Sequence, residues 1–479
     1  MKNVIFVISD QMQRYAALES PVCKMDGLRR LCREGVEFPN AHTVNPICSP
    51  ARASLITGKL PHNHGMVDCT HTVPEYRAQY DRTSKSLPEA LKDSGYHISY
   101  YGKWHIERSY KLEDFGIDEY ETEKAIPKAR TTPISRIVIK TKGYKDSTIC
   151  GVYEEDESHS EEHYIYDRTM AFIDKHLDSR ESCDKPFCSF ISTYAPHDPY
   201  VVPKEVYDLY EGVDFRVPED WEDEKTQRPM IYHRLHEVWR DLTQEQIKTM
   251  IRCYYSACTL VDIQLQRLVS FLKDRGIYQD TMIVFLSDHG DMVGSHGLFC
   301  KGVTAFEQQY SIPLVMKLPQ ERHAGLRCMA YADTCDVLPT VLDELGIPAL
   351  KGIDGKSLLP FLSSDALHSS YSVAEFFGQR YSYTQRVIWS EGFKYVFNAF
   401  DYDELYDLNR DPGETTNLIS DPGLDAVKEK LVSLIWQRAR ETQDTYILDA
   451  QYFMHRFLPI GPSTGNQASA QFEMYNKTF

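Results

Sequence analysis

Short, almost unbroken apolar runs recur along this chain, and each ends on a polar pair. Residues 3–9 (Asn-Val-Ile-Phe-Val-Ile-Ser) run into Asp10, and residues 281–287 (Thr-Met-Ile-Val-Phe-Leu-Ser) run into Asp288. Neither run alternates apolar with polar positions, which predicts strands buried on both faces, as in a parallel sheet. Residues 97–101 and 185–192 read as further strands, the latter leading into Thr193-Tyr194-Ala195-Pro196-His197. Between them lie stretches of helical period: 25–34 with Gly35 as its C-terminal cap, 87–94 stopped by Gly95, and a long amphipathic helix from about 244 to 274 before Gly276. Strands alternating with helices predict an α/β domain whose large mixed, mostly parallel sheet is sandwiched by helices.

Two stretches break the rhythm. Residues 119–162 are polar and irregular, and residues 202–243 are rich in charge and aromatics, with Trp221, Tyr232 and Trp239. Both read as insertions, either lids or surface decoration. Residues 363–370 resemble a linker. Beyond it, 383–389 and 393–397 flank Ser390-Glu391-Gly392, which predicts an antiparallel hairpin. A helix over 425–441 and an aromatic tail from Tyr446 to Phe479 follow. The expected division is a catalytic α/β domain over 1–370 and a smaller C-terminal α+β subdomain, carrying the antiparallel sheet, over 371–479.

Composition narrows the class. The 479 residues are 42% hydrophobic and 26% charged, the profile of a soluble globular chain rather than a collagenous, disordered or membrane-embedded one. Lys and Arg number 53 against 70 Asp and Glu, a net charge of −17. Such a chain is a poor general partner for nucleic acid or an anionic membrane. The sequence enters its first strand directly after Met1-Lys2, with no signal-peptide pattern, and none of the twelve cysteines forms a CxxC pair. Reduced thiols and a cytoplasmic location are expected.

Asp10 and Asp288 end their strands where ligands bind in open α/β sheets. His289, Gly290 and Asp291 follow. Carboxylates gathered from distant strands suit a hard divalent cation, although each could simply cap a following turn. In the segment from Pro46 to Gly58, Cys48 stands at a helix N-terminus, where backbone N–H groups favour an anion, and Arg52 lies one turn on. The residue types fit a low-pKa nucleophilic thiol and equally a buried inert cysteine.

Cys48-Ser49-Pro50-Ala51-Arg52 with Thr57-Gly58 resembles the core signature of the type I sulfatases, formylglycine-dependent enzymes of the alkaline-phosphatase superfamily. Gly95-Tyr96-His97-Ile98-Ser99-Tyr100-Tyr101-Gly102-Lys103-Trp104-His105 resembles the second signature. Pro196-His197-Asp198-Pro199, Asp288-His289-Gly290, Lys301 and the segment from Glu404 to Leu418 resemble the remaining landmarks, in order.

The resemblance implies that Cys48 is oxidised to formylglycine by a maturation enzyme. One hydroxyl of the hydrated aldehyde attacks a sulfate ester, and the second expels sulfate from the covalent sulfo-enzyme. By the same resemblance Asp10, Asp288, His289 and the modified Cys48 hold one divalent cation, Ca²⁺ foremost, with Mg²⁺ or Mn²⁺ admitted by His289. Arg52 holds the diol or the carboxylates, Lys103 and Lys301 bind the sulfate, His197 is the acid for the leaving alcohol and His105 the base, the last two roles being exchangeable. One departure concerns Gln11, which stands where many members carry a second aspartate. It is an additional ligand candidate, and it leaves open a phosphonate or phosphate ester hydrolase on the same scaffold. A non-catalytic binder of sulfated ligands is the third reading. The absence of a Lys/Arg-dense stretch suggests a small sulfated substrate, such as a mono- or oligosaccharide, in a pocket closed by the two insertions. The aromatic tail either packs on a second subunit or wraps its own domain.

Overall fold

The computed structural model describes residues 2–127, 131–140, 146–180, 182–223, 227–363, 370–399, 401–448 and 461–462. Its centre is an eight-stranded sheet. The strand order is Leu326–Arg327, Val36–Glu37, Leu314–Lys317, Thr281–Ser287, Asn3–Asp10, Phe187–Pro196, His97–Gly102 and Glu119–Thr122. The five strands from Thr281–Ser287 to Glu119–Thr122 pair in parallel, and Leu314–Lys317 runs antiparallel to its neighbours.

The unbroken apolar runs are explained by this centre. Val4, Phe6 and Ile8 face one core, with Leu55 and Ile56 from helix Cys48–Thr57 and Leu338 and Val341 from helix Val337–Glu344. Ile5 and Val7 face the other, with Leu28 and Leu31 from helix Asp26–Glu34, Ile165 and Phe172 from helix Glu161–Asp178, and Tyr254 and Leu265 from helix Gln244–Asp274. Each strand side chain is therefore removed from water, at about 1.5–3 kcal/mol per large apolar group. Helix Gln244–Asp274 opens with a capping box, Thr243 with Gln246, which fixes its start.

Several local expectations are corrected. Gly35 is not a left-handed cap: its φ is −142°. It is glycine because the chain passes the Leu314–Lys317 strand so closely that a Cβ would lie 2.7 Å from the Met316 carbonyl oxygen. Residues 119–162 are not irregular throughout. Glu119–Thr122 extends the main sheet, and Pro133–Ile139 and Ser147–Tyr153 form a hairpin that Tyr200–Pro203 joins in parallel. Residues 202–243 contain two short helices, Lys204–Asp208 and Met230–His236. Tyr232 from this stretch is buried with Met292, Leu298 and Phe306, so the stretch buttresses the segment that carries Lys301.

The second sheet is antiparallel, in the order Ser372–Phe376, Gln385–Ser390, Phe393–Asn398 and Glu404–Asp407. Its hairpin turns at Glu391 and Gly392, both with positive φ, which matches strand twist. Helix Asp425–Thr442 covers one face through Leu431, Ile435 and Trp436. The other face meets Ala305 and Tyr310. The linker expected over 363–370 lies outside the described residues except at its ends, as does most of the aromatic tail. Gly461 and Pro462 are described, and Trp436 Nε1 donates to the Pro462 carbonyl at 2.9 Å within the same chain. No described helix is long and apolar enough to cross a membrane.

Candidate active site

The two strands that end in Ser-Asp lie side by side in register, Ser9 opposite Ser287. The Ser287 hydroxyl bonds the Ser9 and His289 carbonyls at 3.0 and 2.7 Å and accepts from the Met12 N–H at 2.8 Å. These contacts splay the chain ends and turn Asp10 and Asp288 toward one point. Helix Cys48–Thr57 begins there, with Cys48 in its first turn and buried.

Four potential ligand groups, from Asp10, Cys48, Asp288 and His289, lie within 4.8 Å of one another. His289 Nε2 is 3.3 Å from Cys48 Sγ, 3.8 Å from Asp10 Oδ1 and 3.6 Å from Asp288 Oδ1. The two carboxylates divide their oxygens. Both Oδ2 atoms take Arg52, through NH2 at 3.1 Å (Asp10) and Nε at 2.8 Å (Asp288), while both Oδ1 atoms face the cluster. Arg52 NH1 is spent on the Lys103 carbonyl and the Ser192 hydroxyl, at 2.9 and 2.7 Å. Arg52 therefore holds the carboxylates.

Two lysines close the site. Lys103 Nζ lies 2.5 Å from Asp10 Oδ2 and 3.7 Å from Cys48 Sγ. Lys301 Nζ donates to Gln11 Oε1 at 2.5 Å. Gln11 passes this contact on, since its Nε2 donates to Asp291 Oδ2 at 2.5 Å and to Asp198 Oδ1 at 3.0 Å. Asp291 also accepts from the Tyr200 hydroxyl at 2.6 Å. Gln11 is thus a strut between Lys301 and two carboxylates, the buried Asp291 and the half-buried Asp198. An aspartate there would meet those carboxylates as a like charge, which accounts for the neutral residue.

Burial and the Cys48 thiolate would raise the Asp10 carboxyl, yet Lys103, His197 and Arg52 hold it below the usual carboxylate range. Burial also opposes ionisation of Cys48, and Lys103, Lys301 and His289 overcome it and lower the thiol well below its ordinary value. Lys301 remains charged despite burial because Cys48, Asp10 and Asp198 surround it.

His289 Nδ1 donates to the Gly290 carbonyl at 3.0 Å, which leaves the Nε2 lone pair aimed at the cluster. The donor set fits a hard divalent cation: two ligands each about 2.4 Å from one ion lie no more than about 4.8 Å apart. His197 Nδ1 donates to the Asp198 carbonyl at 2.6 Å, so its Nε2 is free to act, and its side chain is 27% exposed. His105 is buried with φ +51°, and its neighbours are Cys69 and His71. Sequence reasoning missed Ser192, Cys69, His71 and the joint role of Asp198 and Asp291. Asp291, three residues after Asp288, and Asp198, within Pro196-His197-Asp198-Pro199, carried a local signal, and Cys69 and His71 did not.

Comparisons with known proteins identify the family. The sulfatase family profile matches residues 2–347, and the profile of the N-sulphoglucosamine sulphohydrolase C-terminal region matches residues 294–441. The chain is 29% identical to the multifunctional alkaline phosphatase superfamily protein PehA of Trinickia caryophylli, over 89% of this chain and 93% of that one. It is 29% identical to a choline-sulfatase of Rhizobium meliloti, over 88% of this chain and 83% of that one. The structure of a phosphonate monoester hydrolase of Agrobacterium radiobacter superposes with a TM-score of 0.75 at 23% identity, over 91% and 96% of the two chains. With the sulfatase family model matched over most of its length, the chain belongs to the sulfatases, the sulfuric ester hydrolases of the alkaline-phosphatase superfamily.

Proposed function

We propose that this enzyme hydrolyses the sulfate ester of a small substrate, a sulfated mono- or oligosaccharide, through a covalent sulfo-enzyme at residue 48. The observation that carries the reading is the position of Cys48 Sγ, clustered with Asp10, Asp288 and His289 and 3.7 Å from Lys103 Nζ. That sulfur stands where the matured residue's hydrate oxygens would be. A divalent cation held by Asp10, Asp288, His289 and residue 48 would supply Lewis acidity to the nucleophile.

The chain's own groups do the rest. Lys103 and Lys301 are positioned to bind sulfate oxygens and the charge that grows on them. One hydroxyl of residue 48 gives up its proton and attacks sulfur, the ester S–O bond breaks, and the alcohol takes a proton from His197 Nε2, which the proton of the attacking hydroxyl replaces by way of solvent. The second hydroxyl gives its proton to His105, a C=O bond forms, and sulfate departs with the electrons of the C–O bond. Water then adds to restore the hydrate. Arg52 keeps both carboxylates in place throughout.

A sugar fits the surroundings. Tyr381 is 82% exposed, next to Arg380, whose backbone N–H donates to Asp68 at 3.2 Å, and Asp68 leads into Cys69 and His71. An exposed ring beside the site can stack on a sugar face. The match to the N-sulphoglucosamine sulphohydrolase C-terminal region, which spans this loop, supports the same class.

Peptide mass and turnover together test the proposal. Formylglycine lowers the mass of the Cys48 peptide by about 18 Da, a consequence of the aldehyde replacing the thiol. Faster turnover of an aryl sulfate than of an aryl phosphonate is expected. The reverse order would favour the phosphonate reading, for which the Asp10-Gln11 pair is the specific observation.

A further inference from the structure

At neutral pH, hydrolysis of a sulfate monoester yields an alcohol, a sulfate dianion and one proton. The proton must leave a pocket in which the base, His105, is only 6% exposed. A continuation exists at His105 Nε2. His71 Nδ1 lies 2.6 Å from His105 Nε2. The ring centres are 4.7 Å apart and the planes are inclined by 26°. Subtracting 2.6 from 4.7 leaves about 1 Å per ring, roughly the distance from an imidazole centre to its nitrogen. The two nitrogens therefore lie near the line joining the centres and face each other within the ring planes, the arrangement of an N–H···N bond.

Cys69 Sγ is 3.5 Å from His71 Nδ1 and 3.6 Å from His105 Nε2, so the trio has the composition of a soft-metal site. Its geometry speaks otherwise. A tetrahedral ion needs the two lone pairs to converge on a point off the N···N line, at about 109°. Rings aimed at each other do not provide that point. His105 Nδ1 is buried and has no hydrogen-bond partner among the described residues, while His71 is exposed. The pair thus has one unused nitrogen inside and one ring in solvent.

We propose that His71 is a positioning and proton-relay residue that links His105 to bulk water. The inference rests on the reading of His105 as the base. In the step that releases sulfate, His105 Nδ1 gains the hydroxyl proton, His105 Nε2 gives its proton to His71 Nδ1, and the His71 Nε2 proton passes to water. Both rings end neutral with their tautomers exchanged, and they return through water while the hydrate re-forms. No oxidant or co-reactant is needed.

The test compares wild-type enzyme with His71→Ala and His71→Gln, each checked for an unchanged melting temperature. Glutamine can hydrogen-bond to His105 but cannot relay a proton. In both variants kcat should fall about 10- to 100-fold, the lower part of the range for general acid–base groups, with KM within about twofold. Imidazole at fixed pH should restore the rate in proportion to its concentration and leave wild type unaffected. Under substrate the variants should accumulate the trapped sulfo-enzyme, a chain heavier by about 80 Da than the hydrate and by about 98 Da than the aldehyde. Wild-type kcat in either variant, or a loss that imidazole leaves unrepaired, overturns the relay.

A second measurement is independent of the ester turned over. In ¹⁵N-histidine-labelled protein, one proton should correlate with both His105 Nε2 and His71 Nδ1, and its absence refutes the pair. Failure of the sulfatase reading would appear separately, as wild-type enzyme inactive on aryl sulfate. The kinetic arm then runs on the phosphonate.

Discussion

Among the described residues, two clusters combine histidine with carboxylates in the composition of a metal site, and of these two one is built to hold a ligand. His62, Glu375 and Asp444 gather their side-chain atoms as closely as Asp10, Cys48, Asp288 and His289 do. At His62 both ring nitrogens are committed. Nδ1 meets Glu375 Oε1 at 2.7 Å, and Nε2 donates to the Thr442 carbonyl at 3.0 Å. With both nitrogens donating, the ring is a cation with no lone pair left. Arg386 completes the set through Asp444, 2.8 Å from its Nε. At His289 only Nδ1 is tied to the backbone, and Nε2 points into the cluster, 3.3 Å from Cys48 Sγ. Buried charge alone does not mark a functional site. The mark is an acceptor atom kept free among charges that are otherwise paired.

The sharpest way to break this contrast is at residue 48. Cys48→Ala should reduce turnover to background while the melting temperature stays close to wild type, because little volume is removed. Near-normal activity would refute the nucleophile. Chelation, or Asp288→Asn, should lower kcat/KM about 100-fold or more by removing the cation or one of its ligands. Elemental analysis should find one divalent ion per chain, lost in Asp288→Asn and retained in His62→Gln. An ion lost with His62 instead would reverse the assignment of the two clusters.

The structural cluster should answer in stability. Arg386→Met leaves Asp444 buried without its partner and should destabilise by about 3–5 kcal/mol in denaturant titration, with metal content unchanged. The smallest effect is on pH dependence. Burial disfavours the His62 cation, but Glu375 and Asp444 raise its pKa to about 9. A raised pKa gives stability that is complete below about pH 6.5, the unfolded value, and fades as pH rises through 9. The gap corresponds to no more than about 3 kcal/mol. His62→Gln should flatten that alkaline limb, and an unchanged limb would assign it to another group.

How much of this was legible beforehand depends on whether the cause was local. Helix Gln244–Asp274 and strand Thr281–Ser287 were readable to the residue, since a capping box and a doubly buried strand write themselves into adjacent positions. Strands Pro133–Ile139 and Tyr200–Pro203 were not, because they belong to a sheet closed by a partner more than 45 residues away from one of them. The site divides in the same manner. Asp10, Cys48, Arg52, Lys103, Asp288, His289 and Lys301 lie in motifs, and the fold brings their side chains together. Gln11 took a different part, bridging Lys301 to Asp198 and Asp291, which its neighbours in sequence do not reveal. His71 meets His105 across 34 positions and has no pattern of its own.

Gly102 shows how little room the site leaves for variation outside its reacting groups. It has φ +116°, and a Cβ there would lie 1.8 Å from the Ser192 carbonyl oxygen. Ser192 is the residue whose hydroxyl holds Arg52, and Arg52 holds both carboxylates. One methyl group at position 102 would push apart two strands and carry the displacement through three contacts to the reaction centre. The tolerance of this site is thus set by a distance between backbones, and a single carbon with no chemistry of its own can exceed it.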